Sequence, residues 1–306
     1  MSSGERPALR LVRAPERVAP VLGAVELVPG RVRAALLDLS GTVLWRSEAV
    51  FPRGTSDPAQ VDAALAEATR FPDAPAGVGV AAAGLVDAAG GVIIELNEVP
   101  ALHGYPVAAV LTDLLRVPVH VEHRARLQVL GDRWFGPGRG RTTFASVSTG
   151  DVLGVGILYD GEVLAPPGGR SGAHMTVAAS GLPCTCGARG CWKTVATTPW
   201  LREEAERRGL AGRTVGELTG EPLLDEYAGN IALGLINIQQ LFAPGLFVVH
   251  GEAAEGGEPF RARIERRLRE DSSWATGAEP PRVLVSPGPA DDVALLGGAG
   301  LVLSKH

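Results

Sequence analysis

The sequence predicts an α/β protein of two similar domains that face each other across a cleft. Three observations carry this. A three-strand β-meander leads into α/β units, the same succession returns in the second half, and 45% of the 306 residues are apolar, enough to bury a large core. The length suits two or three domains of about 100–200 residues each. With 40 Gly and 23 Pro spread along the chain, short turns fit better than a disordered tract.

Met1 to Pro20 reads as a flexible lead-in rich in Arg, Glu and Pro. Val21–Val28, Val32–Leu39 and Thr42–Val50 are β-prone runs separated by the turn signals Pro29-Gly30 and Ser40-Gly41. A Ser/Asp cap opens a helix at Asp57–Ala68. Ala76–Ala83 is a buried strand of small residues, Val107–Leu115 an amphipathic helix, Val117–Val121 a short strand and Arg124–Trp134 a helix. The second half starts with strands Thr143–Thr149, Val155–Leu158 and Glu162–Ala165, with Asp160-Gly161 closing a hairpin. Pro199–Arg208 and Leu223–Phe242 are helical; in the latter Leu224, Tyr227, Ile231, Leu235, Ile238 and Leu241 recur at helical spacing. Leu246–His250 and Arg282–Ser286 are strands, Pro259–Glu270 is a charged helix and Asp291–Leu303 a final helix of small residues. The expected organisation is a lead-in over 1–20, a first domain over 21–122 plus 290–306, and a second over 123–289.

A formal net charge of -5 offers no attraction to a polyanion, so DNA binding by this chain alone is not expected. No apolar run reaches the roughly 18–20 residues of a membrane span. The N-terminus has no apolar core of a signal peptide, which points to the cytoplasm. Thiols there stay reduced, and clustered cysteines then mean metal or catalysis rather than disulfides.

All three cysteines lie in Cys184-Thr-Cys186-Gly-Ala-Arg-Gly-Cys191. Zinc takes thiolate and imidazole in tetrahedral sets such as Cys₃His. The Cys-x-Cys pair offers two sulfurs, Gly187 and Gly190 allow a tight return for Cys191, and His174 is the nearest fourth ligand. Four protein ligands leave no open position, so the expected role is structural. Free buried thiols and a catalytic metal are the alternatives.

The spacing His174-x9-Cys184-x-Cys186-x4-Cys191 resembles the zinc signature of the ROK family (repressors, open reading frames and sugar kinases), roughly G-H-x9-C-x-C-G-x2-G-C-L-E. Ala34–Val43 is similar to that family's second strand and turn, Ala81–Gly91 to its G-x-V-D-x-x-G segment, and Leu130–Gly136 to its LGE-x-W-x-G stretch. Ser148–Gly161 resembles its Gly-rich hairpin and Pro244–Gly251 the strand before its adenosine loop. The resemblance runs from about Leu22 to the C-terminus. It implies an actin-like ATPase (RNase H-like) fold over a sugar and ATP cleft, and a homo-oligomer.

Where the family carries an N-D-A-N motif with its catalytic Asp, this chain reads His123-Arg124-Ala125-Arg126. A guanidinium stays protonated at any working pH, so Arg124 cannot act as base. Ser171 stands at the position of a sugar-binding Glu, and Lys193 at that of another. Glu26-Leu27-Val28-Pro29 aligns with the first phosphate loop but lacks both its glycines. Asp38-Leu-Ser-Gly-Thr42 looks like that loop one strand later and reads as an ordinary hairpin turn. The Gly-rich stretch Gly150–Gly156 could still approach a phosphate, although Asp151 would repel one, and His250-Gly251-Glu252 replaces a glycine run.

ATP is therefore not expected as a cofactor, and no residue is assigned as catalytic. The ligand-binding candidates are Asn97, His123, Arg124, Ser171, His174 and Lys193. With Arg126 these make the cleft basic, suited to a sugar acid or phosphosugar. The alternative is a dead cleft that these side chains merely fill. The stretch before the first strand is too short for the winged helix-turn-helix of ROK repressors. The expected function is an inactive, sugar- or anion-sensing, regulator-like protein, either the sensor part of a repressor or a free-standing pseudo-kinase. An ATP-dependent sugar kinase is the rival.

Overall fold

The computed structural model describes residues 20–166, 172–272, 279–286 and 292–305. The lead-in up to residue 19, Ser171 and the expected helix start at Asp291 lie outside the described residues.

Two five-stranded mixed sheets share one topology. In the first, β1 (Leu22–Val28), β2 (Arg31–Leu37) and β3 (Val43–Val50) form an antiparallel meander. β4 (Val78–Ala82) then pairs parallel to β1, and β7 (Val119–His123) parallel to β4, giving the order β3-β2-β1-β4-β7. In the second, β8 (Phe144–Thr149), β9 (Gly154–Tyr159) and β10 (Glu162–Val163) are the meander. β11 (Leu246–Gly251) and β12 (Arg282–Val285) follow in parallel, in the order β10-β9-β8-β11-β12. The repeat read from turn signals is therefore a repeat of sheet topology, and the molecule is a bilobal α/β fold with the two sheets flanking a cleft.

Local chemistry sets the boundaries. Helix α1 (Pro58–Ala68) opens where expected, because the Asp57 carboxylate accepts from Ala59 N at 3.0 Å and Pro58 supplies a fixed φ at the first position. The Asp160-Gly161 turn joining β9 and β10 has φ of 49° and 85°, the left-handed pair that a two-residue hairpin demands. The expected strand at Val117–Val121 begins two residues later, since Pro118 has no N–H for the ladder and only its carbonyl is used, by Val78 N at 2.9 Å. The structure adds a small hairpin, β5 (Leu85–Asp87) and β6 (Val92–Glu95), whose turn is held by Asp87, which accepts from Ala89 N and Gly90 N, both at 3.1 Å. Helix α2 (Val107–Leu115) packs against β7 in the first lobe.

Helix α3 (Arg124–Phe135) leaves the first sheet at β7 and lies against β8 and β9 of the second. The C-terminal helix α7 (Val293–Lys305) crosses it and also covers β1 and β4. Small residues make this crossing possible. A Cβ on Gly79 of β4 would lie 2.0 Å from the Gly298 carbonyl oxygen of α7, and one on Gly297 would lie 2.5 Å from the Leu127 carbonyl oxygen of α3. Helices α4 (Thr198–Arg207), α5 (Leu223–Phe242) and α6 (Gly257–Asp271) belong to the second lobe, where the apolar face of α5 is buried through Tyr227, Ile231 and Leu235.

A Gly79→Ala substitution is expected to cost about 3 kcal/mol or more, because backbone rather than a side chain must retreat. Urea unfolding followed by circular dichroism reads this; a midpoint unchanged from wild type contradicts the close crossing.

Candidate functional site

The junction of β7 and α3 carries the segment from Glu122 to Arg126. Half-buried His123 is the N-cap of α3, its Nδ1 accepting from Ala125 N at 3.3 Å. Burial first, then the Arg126 and Arg124 guanidiniums and His174, pull His123 down to about 4, so it is neutral at pH 7. The Glu122 carboxylate accepts from His123 N at 2.6 Å and from Arg126 Nη1 at 3.3 Å, and both side chains of that pair are buried.

Arg124 reaches back to the first sheet. Its Nε donates to Glu26 Oε1 at 3.0 Å and its Nη2 lies 2.9 Å from the same oxygen. The other oxygen of Glu26 accepts from Arg33 Nε at 2.7 Å, Glu26 and Arg33 being direct partners in the β1–β2 ladder. Glu26 is 1% exposed. The stretch that aligns with a phosphate loop is thus paired strand, closed by the two-residue turn Pro29-Gly30, with Gly30 at φ 82°. The Asp38–Thr42 segment is the hairpin turn that the sequence suggested: the Asp38 carboxylate accepts from Ser40 N at 2.8 Å and Thr42 N at 2.9 Å, and these bonds, the Ser40 hydroxyl foremost, hold it below the usual carboxylate range.

On the second lobe Gly150 has φ 145°, and its carbonyl accepts from Thr198 N, at the start of α4, at 2.9 Å. Two carboxylates stand at this turn. Arg202 bridges them, 3.0 Å from Asp151 Oδ1 and 3.6 Å from Glu252 Oε1. Further in, His250 Nε2 lies 2.7 Å from Asp132 Oδ2, which also accepts from the Ser146 hydroxyl at 2.5 Å. All three side chains are buried, and they join α3 to β8 and β11.

The cysteine loop brings together His174, Cys184, Cys186 and Cys191, whose donor atoms all lie within 4.8 Å of one another. Cys184 Sγ is 3.6 Å from His174 Nδ1, and Cys186 Sγ is 3.6 Å from Cys191 Sγ. Gly187 and Gly190 both have positive φ, and a Cβ on Gly190 would sit 1.7 Å from the Ala178 carbonyl oxygen. Burial, and then the Cys186 and Cys184 thiols, push Cys191 up to about 12. The four donors form a candidate metal-binding site consistent with structural zinc.

Lys193 follows on the 3₁₀ turn Trp192–Thr194, half-buried. Asn97 is exposed in the loop after β6. His123 and Arg124 thus stand at the start of α3, His174 and Lys193 on two short turns that pack against each other, and Asn97 follows the small hairpin of the first lobe. Sequence reasoning missed Glu26, Arg33, Asp132 and His250 as partners. A lone Glu in the apolar run Val21–Val28 was the one available signal, since a buried charge demands a counter-charge.

The family model described as "ROK family" matches residues 22–305. The chain belongs to the ROK family. It is 32% identical over 258 residues to a glucokinase of Halalkalibacterium halodurans, covering 75% of this chain and 77% of the relative. It is 25% identical over 276 residues to a xylose repressor of Bacillus spizizenii, covering 83% and 69%. Among solved structures, a ROK family transcriptional regulator described as a homologue of the E. coli MLC protein superposes with a TM-score of 0.79 at 20% identity, covering 93% of this chain and 78% of that one. This likeness shows the fold. No helix among the described residues is long and apolar enough to cross a membrane.

Metal analysis is expected to find about one zinc per chain, and chelation or Cys186→Ser to lower the melting temperature, because a structural ion contributes folding free energy directly. A metal-free chain of unchanged stability overturns the zinc reading. Arg33→Ala is expected to cost about 3 kcal/mol by leaving a buried carboxylate half-paired. Arg124→Ala should cost nearer 1 kcal/mol, since its side chain is 37% exposed and Arg33 remains. Denaturant midpoints of the two variants rank them; the reverse order refutes the assignment.

Proposed function

We propose that this ROK-family chain binds a small molecule without phosphorylating it and serves as a ligand-sensing, regulator-like protein. The ion pair of Arg124 with Glu26 is the observation that carries this reading. Phosphoryl transfer to a sugar hydroxyl needs a group that takes the proton. At the position where the family resemblance puts that base stands a guanidinium already bonded to a buried carboxylate. Neither neighbour replaces it. Glu122, near the end of β7, is held by His123 N and by Arg126 of α3, and the Nδ1 lone pair of His123 is taken up in capping α3.

The surroundings do not fit a nucleoside triphosphate either. Phosphates need backbone N–H groups exposed by glycine. The turn Pro29-Gly30 is instead a closed hairpin, and the Gly150 turn faces Asp151 and Glu252. The likeness to the Bacillus spizizenii xylose repressor supports the regulatory half of the reading.

A second reading is an ATP-dependent sugar kinase. The 32% identity to the Halalkalibacterium glucokinase favours it. An ATP-coupled assay with glucose, mannose, fructose and xylose separates the two. The expected result is no turnover above background; turnover by the wild-type chain establishes the kinase. Arg124→Asp alone is expected to stay inactive, because it sets a second carboxylate beside Glu26 and leaves the Pro29-Gly30 turn shut.

A further inference from the structure

We infer that a cavity between α3, α7 and the second sheet binds a small amine, an ammonium group on an apolar body. The site shares no lining residue with the segment from Glu122 to Arg126, and the inference does not rest on the non-phosphorylating reading.

The cavity has a volume of about 410 Å³. Its walls come from α3, the end of β11, the residue after β12 and the first turn of α7. One water takes up about 30 Å³ of liquid, and small-molecule sites begin at roughly 300 Å³. Phe135, Val293 and Leu296 make part of the wall apolar, and against them a water finds no hydrogen-bond partner. Helix α7 also covers β1 and β4, so an occupant of this cavity rests on a helix that serves both lobes.

The polar part of the wall offers acceptors. Asp132 and His250 both line the cavity and are each 4% exposed. The two bonds that the Asp132 carboxylate accepts, from Ser146 and from His250, fall on Oδ2, and Oδ1 accepts none among the described residues. In the neutral ring, the bond to Asp132 uses the Nε2 hydrogen of His250 and leaves a lone pair on Nδ1. That buried Nδ1 has no hydrogen-bond partner among the described residues. Gln128 spends its amide nitrogen on Ser146 O at 2.7 Å and Gly154 O at 3.2 Å, which leaves its carbonyl oxygen. Ser286 brings a hydroxyl that acts either way.

The charge points the same way. Glu26 and Glu122 are met by guanidiniums, whereas no Lys or Arg among the described residues pairs with Asp132. A buried carboxylate calls for a counter-charge, and buried acceptors call for donors. An ammonium answers both, with three hydrogens, no lone pair and the missing sign of charge. An alcohol brings one hydrogen and no charge, and a carboxylate brings the wrong sign.

Isothermal titration of the zinc-loaded full chain tests this with phenethylamine and isopentylamine, each against its alcohol (phenethyl alcohol, isopentyl alcohol), and with hydrocinnamate as the acid. At least one amine should bind about tenfold or more tightly than its alcohol, and the acid should not bind. Val293→Phe, which fills the cavity, should abolish amine binding while the melting temperature holds. Asp132→Asn keeps the shape and removes the charge, so the preference for the amine should shrink to about twofold or less. Binding of neither amine overturns the inference and leaves the cavity to water. So does an alcohol or the acid that binds as tightly, amine binding that survives Val293→Phe, or a preference that survives Asp132→Asn. Should a variant fail to fold, the ranking of amine, alcohol and acid on the wild-type chain still decides. Kinase turnover would refute the non-phosphorylating reading and leave this titration unchanged.

Discussion

The close crossing of α7 over β4 and α3 is the constraint on which the rest depends. Backbone meets backbone there, with Gly79 against Gly298 and Leu127 against Gly297. Close-packed interiors transmit displacement rather than absorb it, so the first sheet, α7 and α3 share one geometry. Because α3 begins at Arg124, the same packing decides where that guanidinium can reach. It reaches Glu26 on β1.

The charges around α3 form a series of closed pairs. Glu26 is shared by Arg33 and Arg124, Glu122 by His123 N and Arg126, and Asp132 by Ser146 and His250. Buried ionic groups of this sort are costly to form and more costly to half-dismantle. Such an arrangement favours one resting arrangement of these side chains. The cysteine loop follows another logic: three thiols and an imidazole are gathered by glycine turns, and their chemistry is satisfied by a cation alone.

Much of this was legible in the chain. Turn dipeptides between apolar runs gave both meanders, and the cysteine spacing gave the metal donors, because those signals are local. The hairpin of β5 and β6 was not legible, since three- and four-residue strands leave too little alternation to detect. Nor was the partner of Arg124. Positions 26 and 124 meet only through sheet order and helix crossing, and no periodicity encodes that. The small residues of α7 were visible as composition, while their cause, the passage of β4 beneath them, was not.

The buried trio of Asp132, Ser146 and His250 has a mechanical consequence. It fastens the far half of α3 to the second sheet, while Arg124 fastens the near end to the first. The helix is then a strut pinned at both ends, firmly by the buried trio and more weakly by the part-exposed Arg124. A ligand that tugged on Arg124 would therefore act on a lever whose far arm already carries the second sheet.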